Sequence, residues 1–163
     1  MATRRPPRVR GFAYTGPNRY FITICTLDRH RYFLSADLVD VLRSQLLTTA
    51  AAYRFAVLAY CFMPDHLHAL LEAVSEDSDF LKCVYMFKQR SAFSFRKRQG
   101  AFLCQEGFYD RTLRNDEQTS DVAAYILANP VRAGLCEDPL SYPFAGSGSH
   151  STADLAAMIQ SRP

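Results

Sequence analysis

From Phe55 to Phe62 the chain reads Phe-Ala-Val-Leu-Ala-Tyr-Cys-Phe, with no charged or amide side chain at either alternating position. A half-exposed strand would show a polar residue at every second place, and a surface helix would show one every third or fourth. This run shows neither, and it is far short of a membrane span. It reads as a central strand buried on both faces. Pro64-Asp65 breaks it, and His66 to Ala73 resumes as the next strand. The rest of the chain has to be arranged around these two strands.

Upstream, Tyr20 to Thr26 alternates aromatic or aliphatic residues with threonine and predicts a first strand. Ser35 is placed to N-cap a helix with Asp37 in its first turn. Leu38, Val41, Leu42, Gln45, Leu46 and Thr49 mark the inner face of that helix, which runs to about Ala52. A second long helix is expected over Asp77 to Arg98, with Phe80, Val84, Phe87, Ser91 and Phe95 on one stripe. Lys82, Gln89 and Arg96, joined by Arg90 and Lys97, lie on another side. Phe108 to Leu113 reads as a fourth strand. A third helix spans Glu117 to Asn129, ending there because a residue before proline disfavours helical dihedrals. Beyond it lies an irregular Gly/Ser-containing tail, with Thr152 to Pro163 forming a short helix or fraying. The order predicts an α+β fold: a ferredoxin-like βαββαβ antiparallel sheet with an additional C-terminal helix that carries Tyr125.

With 163 residues and 48% hydrophobic content, one domain with a real core is expected. Its boundaries are set at residues 19–150, after a basic arm at 1–18 and before a tail at 151–163. Neither a membrane-span run nor an apolar signal segment is present. Cys25, Cys61, Cys83, Cys104 and Cys136 are scattered and odd in number, several of them within apolar runs. That usage predicts reduced core thiols in a cytoplasmic protein and no cysteine-bound zinc. The net charge of +3 is only mildly basic, but 16 of the 19 basic residues are arginine. Guanidinium forks suit phosphates and guanine edges, although GC-rich coding enriches arginine equally well. Arg4, Arg5, Arg8 and Arg10, with Pro6 and Pro7, make an extended arm that could track a nucleic-acid backbone or remain solvated.

Two features carry chemistry. His66 and His68 flank one hydrophobic residue on a strand, so their imidazoles share a face and form half of a site for a divalent metal. Half-buried strand histidines without a metal show the same pattern. About sixty residues on, Tyr125 and Asn129 stand four apart on one helix and present a phenol and an amide to one place. Taken singly, Tyr125 reads as a core tyrosine and Asn129 as a helix terminator; together with the histidines they read as a site.

These residues resemble a known family. His66-Leu67-His68 is similar to the HUH motif (histidine, hydrophobic, histidine) of single-tyrosine transposases. Tyr125 and Asn129, within Tyr-Ile-x-x-Asn-Pro-Val-x-x-Gly, resemble the nucleophile helix of the REP-associated tyrosine transposases in that superfamily. Tyr20-Phe21-Ile22-Thr23, Phe62 to His68, Gln105 to Arg111 and Asp138 to Phe144 also match, so the likeness runs from about Gly11 to Gly148. Positions where that family often carries tryptophan hold other residues here, a departure that touches packing.

The resemblance implies a metal-dependent enzyme that nicks and joins single-stranded DNA. Mg²⁺ or Mn²⁺ would be held by His66, His68 and Asn129, and Tyr125 would form a 5′-phosphotyrosine linkage. The implied substrate is single-stranded or hairpin DNA, specifically repetitive extragenic palindromes and the tetranucleotide beside them, recognised by a monomer or homodimer with no membrane involved. Arg96, Lys97, Arg98, Arg111, Arg114 and the arm are candidates for DNA contacts, and Tyr14, Tyr20 and Tyr109 could stack on bases or pack. Asp65 could orient a histidine or serve the turn. Two other classes stay open: a metal-dependent phosphodiesterase that uses water, and a non-catalytic nucleic-acid binder. The full set of four residues argues against the second.

Overall fold

The computed structural model describes residues 11–114 and 116–161, with side chains 116–118 excepted. The elements are β1 (Arg19–Cys25), α1 (Ala36–Ala52), β2 (Phe55–Met63), β3 (His66–Ala73), α2 (Phe80–Gln99), β4 (Tyr109–Leu113), α3 (Asp116–Arg132), β5 (Ala145–Gly146) and α4 (Thr152–Gln160). All strand pairings are antiparallel, in the order β4-β1-β3-β2-β5. The first four strands therefore make the expected ferredoxin-like sheet, with β5 added at one edge. No helix among the described residues is long and apolar enough to cross a membrane.

Period-two alternation divides the side chains between two layers. Tyr20, Ile22 and Ile24 of β1 and Leu67, Ala69 and Leu71 of β3 point to one face and pack with α1 and α2. Phe21 and Leu70 point to the other, where Val122, Ala123 and Ile126 of α3 cover them. Both faces of β2 are covered, which explains its unbroken apolar sequence. A bulge between Val57 and Ala59 lets Leu58 and Ala59 both join the α3 side. The stripe Phe80, Val84, Phe87, Ser91 and Phe95 of α2 is buried as expected. On α1, Val39 and Ala50 are buried where Val41 and Gln45 had been expected, and these two are half-buried.

Three features differ from expectation. First, α2 starts at Phe80 and not at Asp77, because the Asp79 carboxylate accepts from the Lys82 N–H (3.0 Å) and caps the helix there. Second, α3 does not stop at Asn129. It runs to Arg132 with Pro130 inside, and its terminator is Gly134 in the left-handed region (φ 70°). Gly134 N–H donates to Val131 O (2.9 Å) and Leu135 N–H to Pro130 O (2.8 Å), the paired closure of a Schellman motif. One hydrogen bond lost to proline near the end is outweighed by that closure. Third, β5 pairs its two residues with Tyr60 and Cys61. A Cβ on Gly146 would sit 2.9 Å from the Tyr60 hydroxyl, so a larger residue there would have to push the buried Tyr60 side chain aside. All five cysteines are free. Burial pushes the Cys61 and Cys83 thiols up to about 12, the behaviour of inert core residues.

Candidate active site

Met63 pairs with His66 across Pro64-Asp65. This turn is pinned from outside: Thr26 N–H and Oγ1 both donate to Asp65 O (3.0 and 2.9 Å), and Phe33 N–H donates to Pro64 O (3.0 Å). His66 and His68 then emerge on the α3 side of β3, an interior strand, with their Nε2 atoms 3.1 Å apart. His66 Nδ1 lies 2.6 Å from Asp65 Oδ1, and His68 Nδ1 lies 2.9 Å from Thr23 Oγ1. Arg29, held at φ 58°, pairs through Nε with the other Asp65 oxygen at 2.9 Å. Asp65 thus serves the turn and also orients His66.

These contacts restrict the protons. A carboxylate only accepts, so His66 Nδ1 carries hydrogen and its Nε2 offers a lone pair. Without a cation, His68 Nε2–H can donate to that lone pair while the Thr23 hydroxyl donates to His68 Nδ1. In the other tautomer His68 Nδ1–H donates to Thr23, and two bare lone pairs face each other at 3.1 Å, an arrangement stable only around a cation. The Thr23 hydroxyl can play either part. Burial pulls both imidazoles below their usual range. His68 falls to about 3, with the His66, Arg132 and Arg29 charges adding to burial. Both rings are therefore neutral near pH 7, the form that ligates a metal.

Across the face, α3 presents Tyr125, Asn129 and Arg132 along one side. The Tyr125 ring centroid is 6.1 Å from that of His68, and Phe21 stands edge-on to Tyr125 at 6.2 Å while stacking on His68 at 5.3 Å. The Arg132 guanidinium lies 4.1 Å over the Tyr125 ring and donates to Asn129 Oδ1 (3.1 Å). Asn129 Nδ2 donates to Tyr125 O (3.0 Å). The histidines and Tyr125 thus come together within one chain. Beside them lies a groove of about 350 Å³ lined by Phe21, Tyr109, Arg111, Asp121, Val122 and Tyr125.

The residues fit a divalent ion. Nitrogens about 3 Å apart have the spacing of adjacent ligands about 2.1 Å from an octahedral centre. Among the described residues no third His, Cys, Asp or Glu joins the pair. A further protein ligand would have to be of another type, and the Asn129 amide oxygen keeps a second lone pair beside the one Arg132 uses.

The remaining candidates are dispersed. Arg111 is exposed at the groove and Arg114 is exposed just past β4, whereas Arg96, Lys97 and Arg98 are exposed in the last turn of α2. Arg4, Arg5, Arg8 and Arg10 lie outside the described residues. Tyr109 is 43% exposed at the groove. Tyr14 and Tyr20 are buried and stacked against Phe80, so they are core residues and are not available to bases. Sequence reasoning missed Thr23, Phe21, Arg29 and Arg132. The first two share a strand face, and Arg132 stands two turns from Tyr125, but only if the helix is allowed past Pro130.

A family model described as "Transposase IS200 like" matches residues 18–129, from the strand before the histidines to Asn129. The chain belongs to this family of transposases. Members of that family are enzymes, as expected from the four residues together. This IS200-like transposase is 22% identical over 138 residues to the REP-associated tyrosine transposase of Escherichia coli K12, covering 81% of this chain and 78% of that protein. It is 27% identical over 143 residues to a Haemophilus influenzae protein assigned to the same group, covering 81% of each. A solved REP-associated tyrosine transposase bound to a REP hairpin superposes with a TM-score of 0.71 at 22% identity, over 86% of this chain and 82% of that one. At that identity the likeness establishes the fold. The family match ends before Arg132.

Proposed function

We propose that this transposase cuts and rejoins single-stranded DNA through a covalent bond between Tyr125 and a 5′ phosphate. The observation that carries the reading is the placement of Tyr125 beside two neutral, pre-oriented imidazoles whose Nε2 atoms converge at 3.1 Å. The Tyr125 oxygen attacks phosphorus and the bond to the 3′ oxygen breaks. The phenolic proton passes to solvent, and the released 3′ oxygen takes one up. The reverse reaction restores a phosphodiester to a new 3′ hydroxyl, so no external energy source is needed. A phenol is a weak nucleophile and the anionic phosphodiester repels attack, so the step needs electrophilic help at the phosphate. His66, His68 and Asn129 would hold Mg²⁺ or Mn²⁺, which when bound polarises a phosphoryl oxygen and offsets its charge.

The chain's own residues do the rest. Asp65, backed by Arg29, and Thr23 fix the two imidazoles, while Phe21 packs against both His68 and Tyr125. Arg132 holds the Tyr125 ring and the Asn129 amide from one side. The substrate class is hairpin DNA such as repetitive extragenic palindromes, by likeness to the relatives named for REP elements, and the reaction belongs to the cytoplasm. Arg111, Arg114, Arg96, Lys97, Arg98 and the arm would contact backbone.

The test is a denaturing gel with end-labelled hairpin DNA, the same sequence as blunt duplex, and Mn²⁺. The wild type should give a protein–DNA adduct with the hairpin and little with the duplex, labelled only through the fragment 3′ of the cut. Tyr125→Phe should give neither adduct nor product. Cleavage by Tyr125→Phe at near wild-type rate would assign the attack to water instead.

A further inference from the structure

From Phe80 to Gln105 the chain carries Lys82, Lys88, Arg90, Arg96, Lys97 and Arg98 and no aspartate or glutamate. Three of these cations are engaged: Lys82 with Asp79, Lys88 with the carbonyls of Gln105 and Gly107, and Arg90 with Thr49. Among the described residues no ion pair engages Arg96, Lys97 or Arg98. Beside them stand two of the most exposed large apolar side chains of the protein, Phe93 (72%) and Phe102 (65%). Phe93, Arg96 and Lys97 share a helix face, three and four residues apart. The Arg96 guanidinium lies over the Phe102 ring, 5.5 Å from its centroid. Cations in the last turn of α2 complement the helix dipole, but that does not explain two phenylalanines left in water.

The platform is joined to the catalytic end of the sheet. Gly100, at φ 67°, turns the chain so that the segment after it returns along the end of β1. There Leu27 N–H donates to Leu103 O (2.9 Å), Gln105 N–H donates to Cys25 O (3.1 Å), and Thr26 bridges Cys104. Cys25 is the register partner of His66.

We propose that Phe93, Phe102 and Arg96, with Lys97 and Arg98, form a second DNA-contact surface that takes an unpaired strand flanking the cut site. This rests on the DNA-cutting reading given above. Exposed aromatic rings interleaved with guanidinium groups are a sequence-tolerant stacking surface for bases, and the cations follow the backbone. A second copy of the chain is disfavoured on the same patch, because it would bring like charges together.

The test uses the full chain with Tyr125→Phe, which cannot form an adduct, as parent. Fluorescein-labelled hairpins carry an unpaired flank of about 4 or about 16 nucleotides, the range that one small domain covers. Anisotropy should show the parent binding the long flank about tenfold tighter than the short one. Adding Phe93→Ala and Phe102→Ala should abolish that gain and leave short-flank affinity unchanged; both side chains are exposed, and thermal unfolding checks that the fold is kept. Arg96→Ala should lower the salt dependence of long-flank binding by about one ion. Equal affinity of the parent for both flanks, or an undiminished gain in the double variant, overturns the proposal. So does a parent dimer on gel filtration that the double variant turns into a monomer. If the parent binds neither hairpin, the DNA-cutting reading fails first and takes the platform with it.

Discussion

Thr23→Val is the sharpest probe of the histidine pair. Valine keeps the shape of threonine and is at home in a strand, so β1 should form normally. What it removes is the hydroxyl 2.9 Å from His68 Nδ1. For both Nε2 lone pairs to face a cation, His68 must carry its proton on Nδ1, and His68 is only 8% exposed. In the variant that N–H would face a methyl group, and an unsatisfied buried donor costs about 1–3 kcal/mol. The metal-free protein avoids most of this by keeping the proton on Nε2, between the rings. The penalty therefore falls on metal binding, where about 1.4–2.8 kcal/mol corresponds to the 10–100-fold loss typical of removing an outer hydrogen-bond partner. Isothermal titration with Mn²⁺ measures it directly, with Thr23→Ser as the control that keeps the hydroxyl. Thermal unfolding of the metal-free variant should shift by only a few degrees. If Thr23→Val binds Mn²⁺ as tightly as wild type with its fold intact, the tautomer reasoning is wrong.

Two further outcomes follow from the same geometry. His66→Ala and His68→Ala should each lose Mn²⁺ binding and cleavage while remaining folded, and EDTA should silence the wild type until Mg²⁺ or Mn²⁺ is added back. Retained cleavage in both variants would remove the histidines from the site. Arg132→Ala deletes the cation over Tyr125 and a donor to Asn129, contacts worth about 0.5–1 kcal/mol each at a partly exposed position. Adduct formation should fall about 5–30-fold with a melting shift of a few degrees, and unchanged adduct yield would leave Arg132 a surface residue.

Legibility in the sequence followed physical range. The two central strands, the shared face of His66 and His68, and the buried stripe of α2 were all visible because each is a residue pattern contained within one element. Pro130 misled because proline's local preference was outweighed by the Schellman closure at Gly134, four residues on. That closure brings Arg132 onto the Tyr125 face. β5 has only two residues and no period to detect. Thr23 reaches His68 through the register between β1 and β3, a pairing across more than forty residues that no local pattern states. Tyr14 and Tyr20 have the composition of a base-stacking pair, and only packing against Phe80 shows that they are core.

The donors available to a metal also say when it should bind. His66, His68 and Asn129 are all neutral, and among the described residues no carboxylate joins the two imidazoles as a third ligand; Asp65 lies behind His66, on its Nδ1. A divalent ion held this way keeps nearly its full charge, which suits an anionic phosphodiester. In the free protein that charge is offset only by Asp65, which already pairs with Arg29, and Arg132 adds further positive charge nearby. Metal affinity should therefore be weak alone and stronger once DNA supplies phosphate oxygens. Coupling of this kind is typically 5–150-fold and must be reciprocal, so Mn²⁺ should tighten hairpin binding by the same factor. Tyr125→Phe permits both titrations without turnover. Equal Mn²⁺ affinity with and without hairpin would mean that the ion and the phosphate do not meet, and the catalytic role of the histidine pair would fall with that result.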